Sequence, residues 1–166
     1  MKRLLFLFGL TAIAPAPKVE AKVVVNSIVT QDLIDKFAMI ESNYNYDAVG
    51  DKGKALGAWQ MHREAVEESF KSIYRRTGHD YTKCWGSWDK KTLCQPIVSK
   101  MLAKEYMCIL EKQFITLGVE VTPIKLYMAW NLGFSGARHF GFDVNSVMLD
   151  GKRASILKRA NYILSR

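Results

Sequence analysis

Cysteine is scarce in this chain, and the shortage limits the chemistry that its thiols can support. Only three of the 166 residues are cysteines, at positions 84, 94 and 108. Two cysteines with a remote histidine do not make a zinc site, and no histidine accompanies a cysteine in the pattern of a thiol nucleophile. Cys84 and Cys94 flank a short loop, so they either form a disulfide in an oxidising compartment or stay free, while Cys108 is expected to be a buried small apolar residue. The sequence therefore predicts neither a metal ion nor a cofactor.

Long apolar runs are also missing, except near the N-terminus. Lys2 and Arg3 precede an apolar run over residues 4–14, which is shorter than the roughly 20 residues that a membrane-spanning helix needs. Small residues up to Ala21 suit cleavage of an export signal. This order predicts a signal peptide over residues 1–21 and a periplasmic or extracellular location for residues 22–166. An uncleaved membrane anchor and a buried N-terminal helix are the alternatives.

Acidic residues are in deficit. The chain has 16 of them against 24 lysines and arginines, which gives a net charge of +8. Residues 1–21 hold three basic residues and one acidic residue, so +2 of this charge lies there and +6 remains on residues 22–166. A basic exported chain suits an anionic partner such as the bacterial cell wall. Export, and the lack of a nucleic-acid-binding motif, argue against nucleic acid.

Apolar spacing and capping residues predict a single, mainly helical domain. Thr30 and Thr122 are expected to cap helices, and Gly78 to end one. Gly133 and Gly136 are expected to break the chain after another helix. Residues 43–60 are rich in turn formers and predict a small β-hairpin at most, and residues 79–94 are expected to be irregular. Helices are predicted over residues 31–42, 62–77, 96–118, 123–131 and 153–164. The expected fold class is α+β, mainly α, in a monomer.

Glu41 stands at a position of the first predicted helix where an apolar residue would fit the pattern. At about 100° per residue it falls between Ile34 and Phe37, inside the apolar arc. A carboxyl there faces the core or the wall of a cleft, and burial raises its pKa. A carboxylic acid that keeps its proton near neutral pH suits general-acid catalysis. The alternative is that Glu41 turns outward as the helix ends.

The residues around Glu41 resemble the active-site motif of the lysozyme-like superfamily. The string IESNYNYDAVGDKGKALGAWQM, residues 40–61, contains a Glu-Ser pair, a polar turn, a Gly-rich segment and a glycine shortly before a glutamine. A second block, AWNLG at residues 129–133, resembles the later motif that lines the cleft. These features are similar to SLT-type lytic transglycosylases and goose-type lysozymes of bacterial or phage origin. The resemblance covers about residues 33–141 and implies a lysozyme-like fold with a small β-hairpin after the catalytic helix.

The resemblance also implies polar substrate-binding residues. It places Ser42 beside the catalytic Glu41. It places Gln60 where it hydrogen-bonds a sugar or fixes the groove wall. It places Asn131 where it orients Glu41 or a substrate N-acetyl group.

Aromatic side chains near these positions offer flat faces that suit sugar rings. The candidates are Trp59, Tyr127 and Trp130, with packing in the core as the alternative for each. Members of the family often carry a tyrosine directly before the asparagine of the second block, where this chain has Trp130. Tyr127, one turn earlier, is the candidate to replace its contact with Glu41.

Two reactions fit this pattern. In a lytic transglycosylase, Glu41 protonates the glycosidic oxygen between N-acetylmuramic acid and N-acetylglucosamine and then assists the formation of a 1,6-anhydro sugar. An inverting hydrolase needs a second carboxylate, and Asp51 stands where goose-type lysozymes carry an aspartate. Because Asp51 lies in GDKG, an ordinary turn sequence, the transglycosylase interpretation leads. A third possibility is a module that binds wall glycan without cutting it.

The predicted basic helix at residues 152–166 lies outside the resemblance. Its apolar residues recur at helical spacing, and its lysines and arginines suit an anionic wall polymer or membrane surface. The alternative is that it packs its apolar side on the domain and exposes its charges to water.

Overall fold

The computed structural model describes residues 26–166, which form eight α-helices and one two-stranded antiparallel sheet. In chain order the elements are α1 (Gln31–Ser42), β1 (Val49–Gly50), β2 (Ala55–Leu56), α2 (Arg63–Thr77), α3 (Thr82–Trp85), α4 (Lys90–Leu93), α5 (Pro96–Thr116), α6 (Pro123–Leu132), α7 (Phe134–His139) and α8 (Gly151–Leu164). This confirms the predicted mainly helical α+β class. The predicted signal peptide lies outside the described residues. Among the helices of residues 26–166, none is long and apolar enough to cross a membrane.

Local capping sets most of the helix boundaries as predicted. The Thr30 hydroxyl accepts a hydrogen bond from the Leu33 amide at the start of α1, at 3.2 Å, and Thr122 caps α6 in the same way. Gly78 ends α2 with a φ of +70°, a left-handed conformation that favours glycine. These caps satisfy backbone groups that a helix end leaves without partners.

The structure differs from the prediction in several local features. Residues 79–94 contain the short helices α3 and α4 instead of being wholly irregular. Gly133 breaks the chain after α6 with a φ of +72°, whereas Gly136 lies inside α7, so the second predicted break is wrong. Helix α8 begins two residues early because the Asp150 carboxylate accepts from the Arg153 amide at 2.8 Å and acts as its N-cap.

Helix α5 lies at the centre of the packing. It contacts α1, α2, α4 and α6, while α8 packs against α1 and α6. Phe37 of α1 is fully buried, and its ring meets Tyr127 and Trp130 of α6 edge to face, with centroids 5.2 and 5.5 Å away. Burying one such side chain contributes about 1.5–3 kcal/mol. The core thus fixes the end of α1 against α6.

The segment leading into α1 is tied to the same central helix. Glu111 of α5 is buried, and its two carboxylate oxygens accept from the Ser27 hydroxyl and the Ile28 amide, each at 2.7 Å. A buried carboxylate is tolerated when its oxygens are hydrogen-bonded in this way.

All three cysteines of the described chain are free thiols. Cys94 is half-buried, and burial together with a hydrogen bond to Asp47 raises the pKa of its thiol. Cys84 is exposed, and Cys108 is partly buried on α5. Of the two alternatives for Cys84 and Cys94, the structure has the free form.

The small sheet is a hairpin that presses closely on α4. Val49 pairs with Leu56, and Gly50 with Ala55, across a 3₁₀ turn at Asp51–Gly53. Gly57 follows with a φ of +74°, and a Cβ there would lie 2.5 Å from the Leu93 carbonyl oxygen. Glycine is therefore required both by backbone conformation and by the approach to α4.

Gly57→Ala should destabilise the protein more than Gly53→Ala does. Gly53 also has a positive φ, of +89°, but nothing lies within 4 Å of a Cβ placed there. The Gly53 variant should lose about 1 kcal/mol from its left-handed conformation. The Gly57 variant should lose about 1–3 kcal/mol more through overpacking against Leu93.

Urea denaturation of the two variants and the wild-type chain measures the difference directly. Equal losses would show that the hairpin moves away from α4 at no cost.

Candidate active site

A groove of about 470 Å³ runs between the hairpin and the ends of three helices. The C-terminus of α1 and the hairpin form one side, and the end of α6 and the start of α8 form the other. Its lining residues are Glu41, Asp51, Ala55, Gln60, His62, Trp130, Asn131, Asp150, Lys152, Arg153 and Ile156. Five of the eight residues predicted for the site from the sequence therefore meet in one groove.

Glu41 is the most strongly perturbed acid of this groove. Its burial at the end of α1 raises the pKa of its carboxyl from 4.5 to about 7. Its Oε1 is buried and has no hydrogen-bond partner among the described residues. Loss of water around a carboxyl disfavours the ionised form, so near neutral pH this group exists in both its protonated and its ionised forms.

Two side chains from other helices moderate this effect. A hydrogen bond with the Tyr127 hydroxyl and the positive charge of Arg159 both lower the pKa of Glu41, although less than burial raises it. Burial, followed by the charge of Glu41, raises the pKa of Tyr127 far above its usual range. The hydroxyl therefore keeps its proton and is the donor of the hydrogen bond to the Glu41 carboxylate.

Arg159 also braces the end of α1. Its Nη2 donates a hydrogen bond to the Ile40 carbonyl oxygen at 3.1 Å, from α8. The last carbonyls of a helix carry partial negative charge and have no partners within the helix. The final turn of α1 contains no basic residue of its own, so Arg159 supplies that cation from another helix.

Asp51 lies at the hairpin turn and is open to water. Its Oδ2 is 3.5 Å from Nε2 of His62, and the two side chains are 60% and 47% exposed. An exposed pair of this kind contributes about 0–1 kcal/mol to stability. The two residues are therefore free to engage a ligand in the groove.

Gln60 has an unusual backbone that directs its amide. Its φ is +47°, and its Nε2 donates to the Gly57 carbonyl oxygen at 2.9 Å. A Cβ at Gly50 would overlap the Gln60 Oε1, so the absence of a side chain there makes room for the amide. A left-handed glutamine is strained by about 1–3 kcal/mol, a cost typical of functional positions.

Across the groove, α6 presents one aromatic and one amide side chain. Trp130 is half-buried, with its ring packed edge-on against Phe37 and Tyr106. Asn131 is exposed beside it. The part of the Trp130 ring that faces the groove is thus held by contacts on its other side.

Three of the predicted site residues do not line the groove. Trp59 is 1% exposed, and its Nε1 donates to the Ile34 carbonyl oxygen at 2.8 Å. That ring packs in the core and has no free face for a sugar. Ser42 donates to the Ala58 carbonyl oxygen at 2.8 Å, joining the end of α1 to the hairpin. Tyr127 is equally buried, and only its hydroxyl acts on the site, through Glu41.

Several groove residues were not predicted individually from the sequence. His62 follows Gln60 by two positions, but nothing in its neighbourhood distinguishes it from a surface residue. Lys152 and Arg153 belong to the basic helix predicted at residues 152–166, and the fold brings the start of that helix to the groove. Arg159 carried no local signal, because its contact with Ile40 joins residues that are 119 positions apart.

The groove thus brings together a carboxyl that titrates near pH 7, a second, solvated carboxylate, two amides and one half-buried indole. Comparison of the chain with models of protein families, with curated proteins and with solved structures finds no match.

Glu41→Gln should become more stable than the wild-type protein as the pH rises. Below about pH 4.5 the Glu41 carboxyl is protonated in both the folded and the unfolded state, so its charge costs nothing. Between about 4.5 and 7 only the unfolded chain loses the proton, and folding becomes progressively less favourable. The free energy of unfolding of the variant should therefore gain about 3 kcal/mol relative to wild type between about pH 4 and pH 8.

Denaturant unfolding at several pH values tests this, with Glu67→Gln on the exposed surface of α2 as the matched control. A difference between Glu41→Gln and wild type that stays constant across the pH range would mean that the carboxyl is not desolvated.

Arg159→Gln should raise the pKa of Glu41 further above about 7, because a cation that favours the ionised carboxylate is removed. The same change removes the hydrogen bond to Ile40 and should cost about 1 kcal/mol of stability. NMR titration of the Glu41 side-chain carboxyl measures the shift. Lys158→Gln, the neighbouring exposed cation, should leave the pKa unchanged, and an equal effect of both variants would contradict a specific role for Arg159.

Proposed function

We propose that this chain is a lytic transglycosylase with a lysozyme-like fold that cleaves peptidoglycan between N-acetylmuramic acid and N-acetylglucosamine. The observation that carries the proposal is Glu41, a carboxyl at the end of α1 that faces a groove and has a pKa of about 7. A general acid works best when its pKa lies near the working pH.

The shape of the groove supports a polymeric substrate. A second cavity of about 320 Å³ adjoins it and shares four of its lining residues, among them Gln60, Trp130 and Asn131. The two together form an elongated path that continues beyond Glu41. Amide groups along such a path can hydrogen-bond acetamido and hydroxyl groups, and the Trp130 ring can pack on a sugar face.

The proposed reaction uses Glu41 twice. The protonated carboxyl first donates its proton to the glycosidic oxygen, and the bond from that oxygen to C1 of the muramyl residue breaks. The N-acetyl group of the same sugar stabilises the positive charge that develops at C1. The Glu41 carboxylate then takes the proton of the C6 hydroxyl, whose oxygen bonds to C1 and forms the 1,6-anhydro sugar. Glu41 ends protonated again, and no water is consumed.

The Tyr127 hydroxyl and Arg159 fit the second step of this reaction. Both favour the ionised form of Glu41, which is the form left after the proton has been given away. Without these two partners, burial would raise the free-energy cost of ionising Glu41 still further.

A hydrolase that uses Asp51 is the second candidate. Its support is that Asp51 lines the same groove as Glu41 and is largely solvated beside His62. In an inverting mechanism such a carboxylate activates the attacking water. A module that binds glycan without cutting it would use the same groove, although a buried acid of raised pKa then has no purpose.

The cellular setting is part of the proposal. We place residues 22–166 in the periplasm or outside the cell, as a monomer acting on wall glycan. Lys152 and Arg153 line the groove from α8. Arg153 pairs with Asp150 at 3.3 Å, so Lys152 is the cation at this end that suits an anionic wall polymer.

Incubation of the protein with purified peptidoglycan should release muropeptides with 1,6-anhydro ends, one water lighter than hydrolysis products by mass spectrometry. Glu41→Gln should lower kcat by about 10²–10⁴-fold, because the proton donor is lost. Activity should also fall as the pH rises above about 7, where Glu41 loses its proton.

Glu67→Gln provides the control for a change of one carboxylate, and it should keep full activity. Reducing-end products that disappear in Asp51→Asn would establish the hydrolase instead. Retained wall binding with no turnover from the wild-type protein would leave only a glycan-binding module.

A further inference from the structure

Another cavity, of about 500 Å³, lies between α2, α5 and α7. It is separate from the active-site groove and from the cavity that adjoins it. Three cations stand around it: Arg75 of α2, Lys112 of α5 and Arg138 of α7. One carboxylate, Glu68, also lines it, so its charged side chains carry a net positive charge. We refer to it as the cationic cavity.

The three cations of this cavity have no carboxylate partner within residues 26–166. None of them takes part in the ion pairs found in this part of the chain. The contrast with the adjacent residue is direct, because Arg76 pairs with Glu105 at 2.8 Å while Arg75 does not pair. Unpaired cations that share a concave surface repel one another and raise the local concentration of anions. The cavity is therefore suited to an anionic ligand.

The remaining lining of the cavity is not that of a simple anion site. Ile109, Leu117 and Phe134 give it apolar walls, and Gln113 and Thr116 add an amide and a hydroxyl. The Oε1 of Gln113 is buried and has no hydrogen-bond partner among the described residues. A buried acceptor without a donor is costly, and a ligand N–H reached by rotation of this amide would satisfy it.

The cationic cavity lies about one helical turn beyond the cavity that adjoins the active-site groove. The cavity that adjoins the active-site groove is lined by Glu64 of α2 and Tyr106 of α5, whereas the cationic cavity is lined by residues one turn further along each helix. Gly133 lines the first of these cavities and its neighbour Phe134 lines the second. Residues three or four apart on a helix face the same side, so the two cavities follow one side of the molecule.

We propose that the cationic cavity binds an acidic peptide and, resting on the proposed function, that this peptide is a branch of the glycan strand held in the groove. Arginine forks bind carboxylates through paired hydrogen bonds, which suits Arg75 and Arg138. Backbone amides of the peptide supply the donor that Gln113 lacks, and small apolar side chains pack against Phe134. A phosphate group offers neither an N–H nor an apolar surface.

The test is isothermal titration of the full chain with the peptide Ala-Glu-Ala-Ala, which has a free C-terminal carboxylate. The peptide should bind, and Arg75→Gln and Arg138→Gln should each weaken its affinity about tenfold, the usual loss for a hydrogen bond to a charged group. Arg76→Gln, next to Arg75 but paired with Glu105, is the matched control and should leave the affinity unchanged. The peptide Ala-Gln-Ala-Ala with a C-terminal amide, which has neither carboxylate, should bind at least tenfold more weakly.

Absence of peptide binding, or equal losses in the Arg75 and Arg76 variants, would overturn the proposal. Inorganic phosphate that binds as tightly as the peptide and displaces it would assign the cavity to phosphate instead. Thermal unfolding checks that each variant is folded, and Lys112→Gln serves in place of one that is not.

This experiment is independent of the proposed glycan cleavage. The peptide contains no glycosidic bond, so its binding does not require Glu41. If the chain cleaves peptidoglycan but does not bind the peptide, only the cationic cavity is misassigned. If it binds the peptide but releases no products, the transglycosylase is rejected and the cavity stands.

Discussion

The rest of the site depends on one constraint, which is that the Glu41 carboxyl must be held out of water at the end of a helix. Burial raises its pKa to about 7, and that burial is maintained by α6 and α8, which pack against each other and carry Tyr127 and Arg159. Arg159 holds the Ile40 carbonyl, and Phe37 is locked between rings of α6. The raised pKa of Glu41 therefore results from tertiary packing, although the position of Glu41 on the apolar side of α1 was predicted from the sequence of that helix alone.

The balance at Glu41 is set by opposing effects of different strength. Desolvation favours the neutral acid, while the Tyr127 hydroxyl and Arg159 favour the anion. If desolvation acted alone, the carboxyl would hold its proton more tightly and would be a weaker acid. If the two partners prevailed, it would be ionised at neutral pH and could not donate. In the proposed reaction Glu41 changes from acid to base within one turnover, and both effects together suit that change.

The sequence predicted those features that local rules determine. The apolar spacing of α1, its Thr30 cap and the Gly78 stop of α2 act within a few residues, and the structure has each of them. Helices α3 and α4 were missed because a single turn leaves almost no periodic pattern.

The positions of individual side chains were harder to predict than the positions of the helices. Trp59 and Trp130 lie in equally suggestive motifs, yet one is enclosed in the core and the other lines the groove. Tertiary packing makes the difference: the Trp59 ring packs against α1, whereas the Trp130 ring packs against Phe37 and Tyr106 and lines the groove. The contribution of α8 to the groove had no local signal either, because it depends on contacts between distant parts of the chain.

The left-handed backbone of Gln60 carries a consequence for how this protein can evolve. A glycine at position 60 would relieve the strain and stabilise the hairpin, but it would also remove the amide that borders both the groove and its adjoining cavity. Selection for thermal robustness and selection for ligand recognition therefore favour different residues at this position. A chain released from its function would be expected to lose this side chain early, while its core residues remained.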